Sequence, residues 1–199
     1  MEITILIFLL GGLFLGWSLG ANDAANVFGT AVGTRMVSFT SAAIICSIFV
    51  ILGAIISGAG TTETLGKLGA INALPGAFAA CVAAGISVYL MTKVGLPVST
   101  TQAIVGAIVG WNLYTGSSTN IQVLLTILST WILCPIIAGV IAMGLFTFTK
   151  KVILNRKLHI LRLDAYTRTA LILAGAFGAY SLGANNCLLY TSPSPRDTG

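Results

Sequence analysis

Three polar residues lie close together in the first long apolar stretch of the sequence. They are Asn22, Asp23 and Asn26, and Asp23 is the only acidic residue between Thr4 and Thr62. A carboxylate at the centre of a membrane helix costs roughly 2.5–3.5 kcal/mol, so an acid in such a span marks a functional site. Carboxylate and amide oxygens suit a hard cation such as sodium. The structural alternative is a polar cluster that caps a helix at the membrane surface.

A second polar group could bind an anion. It consists of four consecutive residues, Ser99, Thr100, Thr101 and Gln102. Ser99 and Gln102 have the spacing of a capping box, which predicts that a helix begins here. Helix N-termini bind anions, the hydroxyl groups add donors for a tetrahedral oxyanion, and Lys93 could supply positive charge. An ordinary capped turn is the alternative.

The sequence contains an internal repeat. FLGWSLGAND at residues 14–23 matches FGAYSLGANN at residues 177–186, so Asn185 and Asn186 correspond to Asn22 and Asp23. An odd number of predicted membrane crossings separates the copies, which therefore run in opposite directions. Inverted repeats of this kind place substrate and ion sites at the repeat interface. Chance similarity of small apolar residues is the competing interpretation.

The composition identifies lipid as the solvent around these residues. Of 199 residues, 56% are hydrophobic and 8% are charged, and the mean hydropathy is +0.98. A soluble domain has roughly 25% charged residues, and a disordered chain has low hydrophobicity. Six of the ten Lys and Arg residues lie within residues 150–168. The net charge of +5 therefore describes one loop and not a nucleic-acid-binding face.

Apolar runs predict an all-α polytopic membrane protein with inverted repeats. The first repeat covers residues 1–149, with spans at about 3–33, 40–60 and 121–149 and a re-entrant hairpin or two short spans at 77–113. A helix over residues 3–33 would be about 46 Å long, so we expect a break near Asn22. Pro135 is expected to kink the last span. Residues 169–186 begin the second repeat.

The basic loop at residues 150–168 sets the expected orientation. The positive-inside rule assigns it to the cytoplasm, which leaves the N-terminus outside in a multi-pass protein of the plasma (inner) membrane. The sole histidine, His159, lies in this loop, and the four cysteines are dispersed without metal-ligand spacing. We therefore expect neither a metal site nor an enzyme active site.

Two motifs resemble those of the inorganic phosphate transporter (PiT) family. They are GANDAANVFGTAVG at residues 20–33 and PVSTTQ at residues 97–102, and the likeness extends over about residues 5–186. The resemblance implies import of inorganic phosphate with Na+ or H+ as coupling cation and no other cofactor. It also implies two sets of site residues: Asn22, Asp23 and Asn26 for the cation, and Asn26, Ser99, Thr100, Thr101 and Gln102 for phosphate. Two residues depart from the family pattern. Val50 stands where some family members have Glu, and Asn186 stands where the second motif has Asp.

The sequence after Asn186 does not continue the repeat. Residues 188–197 resemble a translated sequencing adapter, so we expect residues 187–199 to be a non-native tail. The chain would then be the N-terminal half of a longer transporter, and it would need the missing second half, or a second copy in a homodimer, to transport.

These observations predict a secondary active transporter that imports phosphate by alternating access and catalyses no covalent reaction. A sulfate permease of the same fold is one alternative, because both anions are tetrahedral. A non-transporting membrane scaffold, in which the glycines pack helices and the polar cluster is structural, is another.

Overall fold

The computed structural model describes residues 2–57, 68, 74–151 and 159–186. This part of the chain is helical and has no β-strand, which confirms the all-α fold class. The helices are α1 (Glu2–Gly33), α2 (Phe39–Ser57), α3 (Leu74–Lys93), α4 (Thr100–Thr115), α5 (Ile121–Thr149) and α6 (Ile160–Asn186). The predicted tail at residues 187–199 lies outside the described residues.

Three of the described helices are long and apolar enough to cross a membrane. They are Phe39–Ser57, Pro75–Lys93 and Ile121–Thr149. Helix α4 has 16 residues and is about 24 Å long, which is less than the hydrocarbon thickness of about 30 Å. Helices α3 and α4 form a hairpin joined by residues 94–99. They cover the region at 77–113 for which the sequence predicted a re-entrant hairpin or two short spans.

The predicted break in the first helix is absent, because α1 is continuous from Glu2 to Gly33. Asn and Asp disrupt helices when their side chains bond to nearby backbone groups. Here the side chain of Asn22 bonds to Val98 instead, and that of Asp23 accepts a hydrogen bond from Thr100. The helix backbone therefore keeps its own hydrogen bonds. Helix α5 also continues through Pro135, where the expected kink stays a prediction.

Helix α6 begins at Ile160, so the predicted loop at residues 150–168 is shorter than expected. The carbonyl oxygen of His159 accepts hydrogen bonds from the amides of Arg162 and Leu163, at 2.9 and 3.1 Å. Asp164 and Arg168 add an exposed ion pair at 3.8 Å across one turn. These local contacts explain why residues 160–168 of the basic segment are helical. Residues 152–158 lie outside the described part of the chain.

Two apolar clusters hold the helices together. One joins α1, α3 and α4 around Leu15 and Val105, with one face of α5 packed against it. The other joins α1, α2 and α6 around Phe28 and Ala179. Most side chains of α5 are exposed and apolar, as expected for a helix that faces lipid.

The most extensive helix contact joins α2 and α6, and glycines make it possible. A Cβ atom on Gly53 would overlap the carbonyl oxygen of Tyr180, and one on Gly183 would overlap the carbonyl oxygen of Val50. Small residues let membrane helices approach through their backbones. In this contact the two helices meet backbone to backbone.

Helices α1 and α6 run antiparallel. The ring of Phe28 contacts Gly175, and the side chain of Val27 contacts Gly178 further along α6. From Val27 to Phe28 the residue number on α1 rises, while the number of the contacted residue on α6 falls from Gly178 to Gly175. This is the arrangement expected for the matching helices of an inverted repeat.

Arg35 adopts a left-handed backbone conformation, with φ 58°, just after α1. That conformation costs a residue with a side chain roughly 1–2 kcal/mol and costs glycine little. We expect Arg35→Gly to raise the unfolding temperature of the detergent-solubilised chain by about 2 °C, after the entropic cost of glycine is subtracted. Thr34→Gly, at a neighbouring position without positive φ, should lower it. A fall with Arg35→Gly would contradict the argument.

Candidate functional site

The side chain of Asn22 connects α1 to the turn between α3 and α4. Its Nδ2 donates to the carbonyl oxygen of Val98 at 2.7 Å, and its Oδ1 accepts from the amide of Val98 at 3.4 Å. Asn22 is only 5% exposed. A single carboxamide thus satisfies both backbone groups of one residue that is 76 positions away.

Asp23 belongs to α1, and its side chain lies beside the start of α4. Its Oδ1 accepts a hydrogen bond from Nδ2 of Asn22 at 2.7 Å, and its Oδ2 accepts one from the hydroxyl of Thr100 at 3.3 Å. Thr100 is buried, with 3% of its surface exposed. The two polar groups predicted from separate parts of the sequence are therefore in direct contact.

Ser99 is the N-cap of α4, as the capping-box spacing predicts. It has extended backbone angles, with φ −81° and ψ 115°, and its Oγ accepts from the amide of Gln102 at 3.4 Å. The first amides of a helix lack acceptors within the helix and carry partial positive charge. The N-terminus of α4 therefore presents donors beside the carboxylate of Asp23.

A cleft of about 370 Å³ brings together residues from both repeats. Helices α1, α4 and α6 form its walls. Seven of the lining residues are polar: Asp23, Asn26, Ser99, Thr100, Thr101, Ser181 and Asn185. Asp23 is the charged residue among the described residues of this lining.

Three residues considered in the sequence do not line this cleft in the described part of the structure. Asn22 is buried behind it, Gln102 is exposed, and Lys93 lies over the ring of Tyr89 with its Nζ 5.3 Å from the ring centroid. The side chain of Asn186 lies outside the described residues, although its backbone belongs to α6.

Ser181 lines the cleft and was not among the predicted site residues. The repeat held the signal, because Ser181 corresponds to Ser18 in the first copy. Each serine lies two positions before the Gly-Ala-Asn motif and four positions, about one helical turn, before the corresponding asparagine. Extending the motif by one turn would have identified it.

Replacing Asn22 by leucine should lower the free energy of unfolding by about 1–2 kcal/mol, because both backbone groups of Val98 lose their partner while an apolar side chain recovers part of the cost. Thermal unfolding in detergent measures this. Asn26→Leu makes the same chemical change at an exposed position of α1 and should leave stability unchanged. Equal effects of the two substitutions would refute a structural role for Asn22.

Comparison with known families gives one match over most of the chain. Residues 19–167 match the family model described as the phosphate transporter family, whose model name is PHO4. The matched range contains both motif segments and overlaps all six described helices in whole or in part.

Individual relatives are similar over the same region. A protein of Pyrococcus furiosus named "Putative phosphate permease" is 37% identical over 164 residues, which cover 77% of this chain and 40% of that protein. A "Sodium-dependent phosphate transporter" of Plasmodium falciparum is 33% identical over 156 residues, or 72% of this chain and 23% of that one. The chain thus spans about 40% of the length of the first of these relatives.

A solved structure has the same fold. It is described as "The sodium-dependent phosphate transporter", and it superposes on 92% of this chain with a TM-score of 0.71 and 25% sequence identity. The matched region is 55% of that protein. The helices that form the cleft are therefore arranged as in a membrane transporter.

Proposed function

Because the chain belongs to the phosphate transporter family, we propose that it is the first repeat of a secondary transporter that imports inorganic phosphate together with a cation. The family consists of transporters and not of enzymes. The single observation that carries the proposal is the cleft, in which the carboxylate of Asp23 and the N-terminus of α4 face α6 of the second repeat.

The polar groups of the cleft suit a phosphate ion. The hydroxyls of Ser99 and Thr101 and the first amides of α4 are donors, and a helix N-terminus attracts anions. Thr100 would contribute its backbone amide, because its hydroxyl donates to Asp23. The amides of Asn26 and Asn185 add donors from the facing helices. Asn186 and Gln102 belong to the same motifs, and we retain them as proposed site residues.

The charge of the cleft supports cation coupling. Phosphate would enter beside the carboxylate of Asp23, which would place two like charges side by side. At 4 Å, two unit charges repel by about 4 kcal/mol at an effective dielectric constant of 20. A cation held by Asp23, with oxygens of Asn22 and Asn26 nearby, would remove this repulsion. The names of the related proteins favour Na+ over H+.

The remaining proposals concern the whole protein. A second inverted repeat would begin at α6 and complete the transporter, and the length of the relatives supports this. Transport would proceed by alternating access. Basic residues between α5 and α6 favour a cytoplasmic location for that segment and an external N-terminus in the plasma membrane.

Uptake of labelled phosphate by the intact gene product in proteoliposomes tests the proposal. We expect uptake that requires an inward Na+ gradient and resists competition by sulfate. Equal competition by sulfate would favour the sulfate permease, and uptake driven only by a pH gradient would favour H+. A folded intact protein that moves neither anion would instead be a scaffold.

A further inference from the structure

Equivalent residues of the two repeats have different surroundings. Gly183 on α6 leaves no room for a Cβ atom because the backbone of Val50 lies against it. A Cβ atom on Gly20, the matching residue of α1, would meet nothing within 4 Å. Likewise, Tyr180 is half-buried and hydrogen-bonded to α2, whereas its match Trp17 is 61% exposed. The same motif surface is packed on α6 and open on α1.

The open surface of α1 borders an apolar groove between α1 and α2. Two adjoining cavities, of about 430 and 570 Å³, share Gly20, Ala24, Ala43 and Cys46 in their linings. Glycine and alanine make up most of the α1 side of both. Such a surface lets a second helix approach through its backbone, as α6 approaches α2.

The inverted repeat indicates what fills this groove. A pseudo-two-fold axis relates the repeats, so each contact between them occurs twice, with the roles of the repeats exchanged. The contact of α6 with α2 joins the first helix of the second repeat to the second helix of the first repeat. Its counterpart joins α1 to the second helix of the second repeat.

We propose that the groove at Gly20 is the docking surface for the second helix of the second repeat in the intact transporter. The inference rests on the proposed function, since it takes the intact protein to contain that repeat. The docking helix is apolar and has a small residue at the position that aligns with Gly53, because Gly53 lies against the backbone of α6. The backbone of its Val50 equivalent lies against Gly20.

A leucine at Gly20 tests the docking surface. In the intact protein, Gly20→Leu should lower the unfolding temperature by about 5 °C, because the added side chain occupies the space of the docked helix. Gly139→Leu is the matched control, since Gly139 also has open surroundings, on α5, and gains the same helix propensity. In the 199-residue chain, neither substitution should lower the unfolding temperature. A fall there with Gly20→Leu would mean that a second copy fills the groove.

Cysteine cross-linking identifies the occupant directly. In an intact protein without other cysteines, we expect a short bifunctional thiol reagent to join Trp17→Cys to a cysteine at the position that aligns with Ser57 in the second repeat, because Tyr180, the match of Trp17, contacts Ser57. The cross-link should join the two halves of one molecule after cleavage between α5 and α6. A cross-link between two molecules, or none, would overturn the proposal. The unfolding temperature and the cross-link do not depend on transport. If the wild-type protein took up no phosphate, the proposed function would be refuted and the docking surface would still be tested.

Discussion

Asp23→Asn is expected to reduce sodium-driven phosphate uptake by the intact protein by about 100-fold. The substitution keeps the size of the side chain and removes the negative charge in the cleft. Charge-assisted contacts are roughly twice as strong as neutral ones, and a 100-fold change corresponds to about 2.7 kcal/mol. The initial uptake rate, measured as a function of Na+ concentration, tests this. We expect Na+ to activate uptake by the variant less than uptake by the wild type.

Asp164→Asn is the matched control for this experiment. Asp164 undergoes the same chemical change, but it is exposed and pairs with Arg168 near the start of α6. Uptake and its dependence on Na+ should be unaffected. If Asp23→Asn left both properties unchanged as well, the carboxylate would not hold the coupling cation, and the assignment of the cation site would be wrong.

Gly183→Ala is expected to destabilise the 199-residue chain by about 3 kcal/mol. The new methyl group would overlap the carbonyl oxygen of Val50, and neither backbone can rotate away as a side chain could. Overpacking costs typically 1–3 kcal/mol, and the rigid neighbour favours the upper end of this range. The unfolding temperature in detergent should fall by about 8 °C.

The repeat supplies the control for this substitution too. Gly20→Ala occurs at the matching position of α1, where a methyl group has free space, and it should raise stability slightly through helix propensity. A Gly183→Ala variant as stable as Gly20→Ala would show that α2 and α6 do not meet through their backbones.

The sequence alone predicted the parts of the site that depend on local pattern. The spacing of Ser99 and Gln102 predicted the start of α4, and the isolated charge of Asp23 marked the polar cluster in α1. The repeat predicted that α6 is related to α1 with opposite direction. Periodicity and capping act within a few residues, so one sequence is enough to detect them.

The parts that could not be predicted depend on partners far away in the chain. The length of α1 and its polar residues suggested a break that the structure does not have. The sequence does not reveal that the side chain of Asn22 bonds to Val98, which leaves the helix backbone undisturbed. The backbone contact of Gly53 with α6 also needs a neighbour more than 100 residues away. Glycines in membrane helices are common, and only the packed structure shows which of them have no room for a methyl group.

The bond between Asn22 and Val98 determines which parts of the cleft can move. Separating α1 from the turn before α4 would leave the carboxamide of Asn22 and both backbone groups of Val98 without these partners, which is unfavourable wherever water is excluded. Helix α1 and the hairpin of α3 and α4 therefore behave as one rigid body. A change in the width of the cleft would then require displacement of α6 relative to this unit, and α6 is itself held against α2 through Gly53 and Gly183.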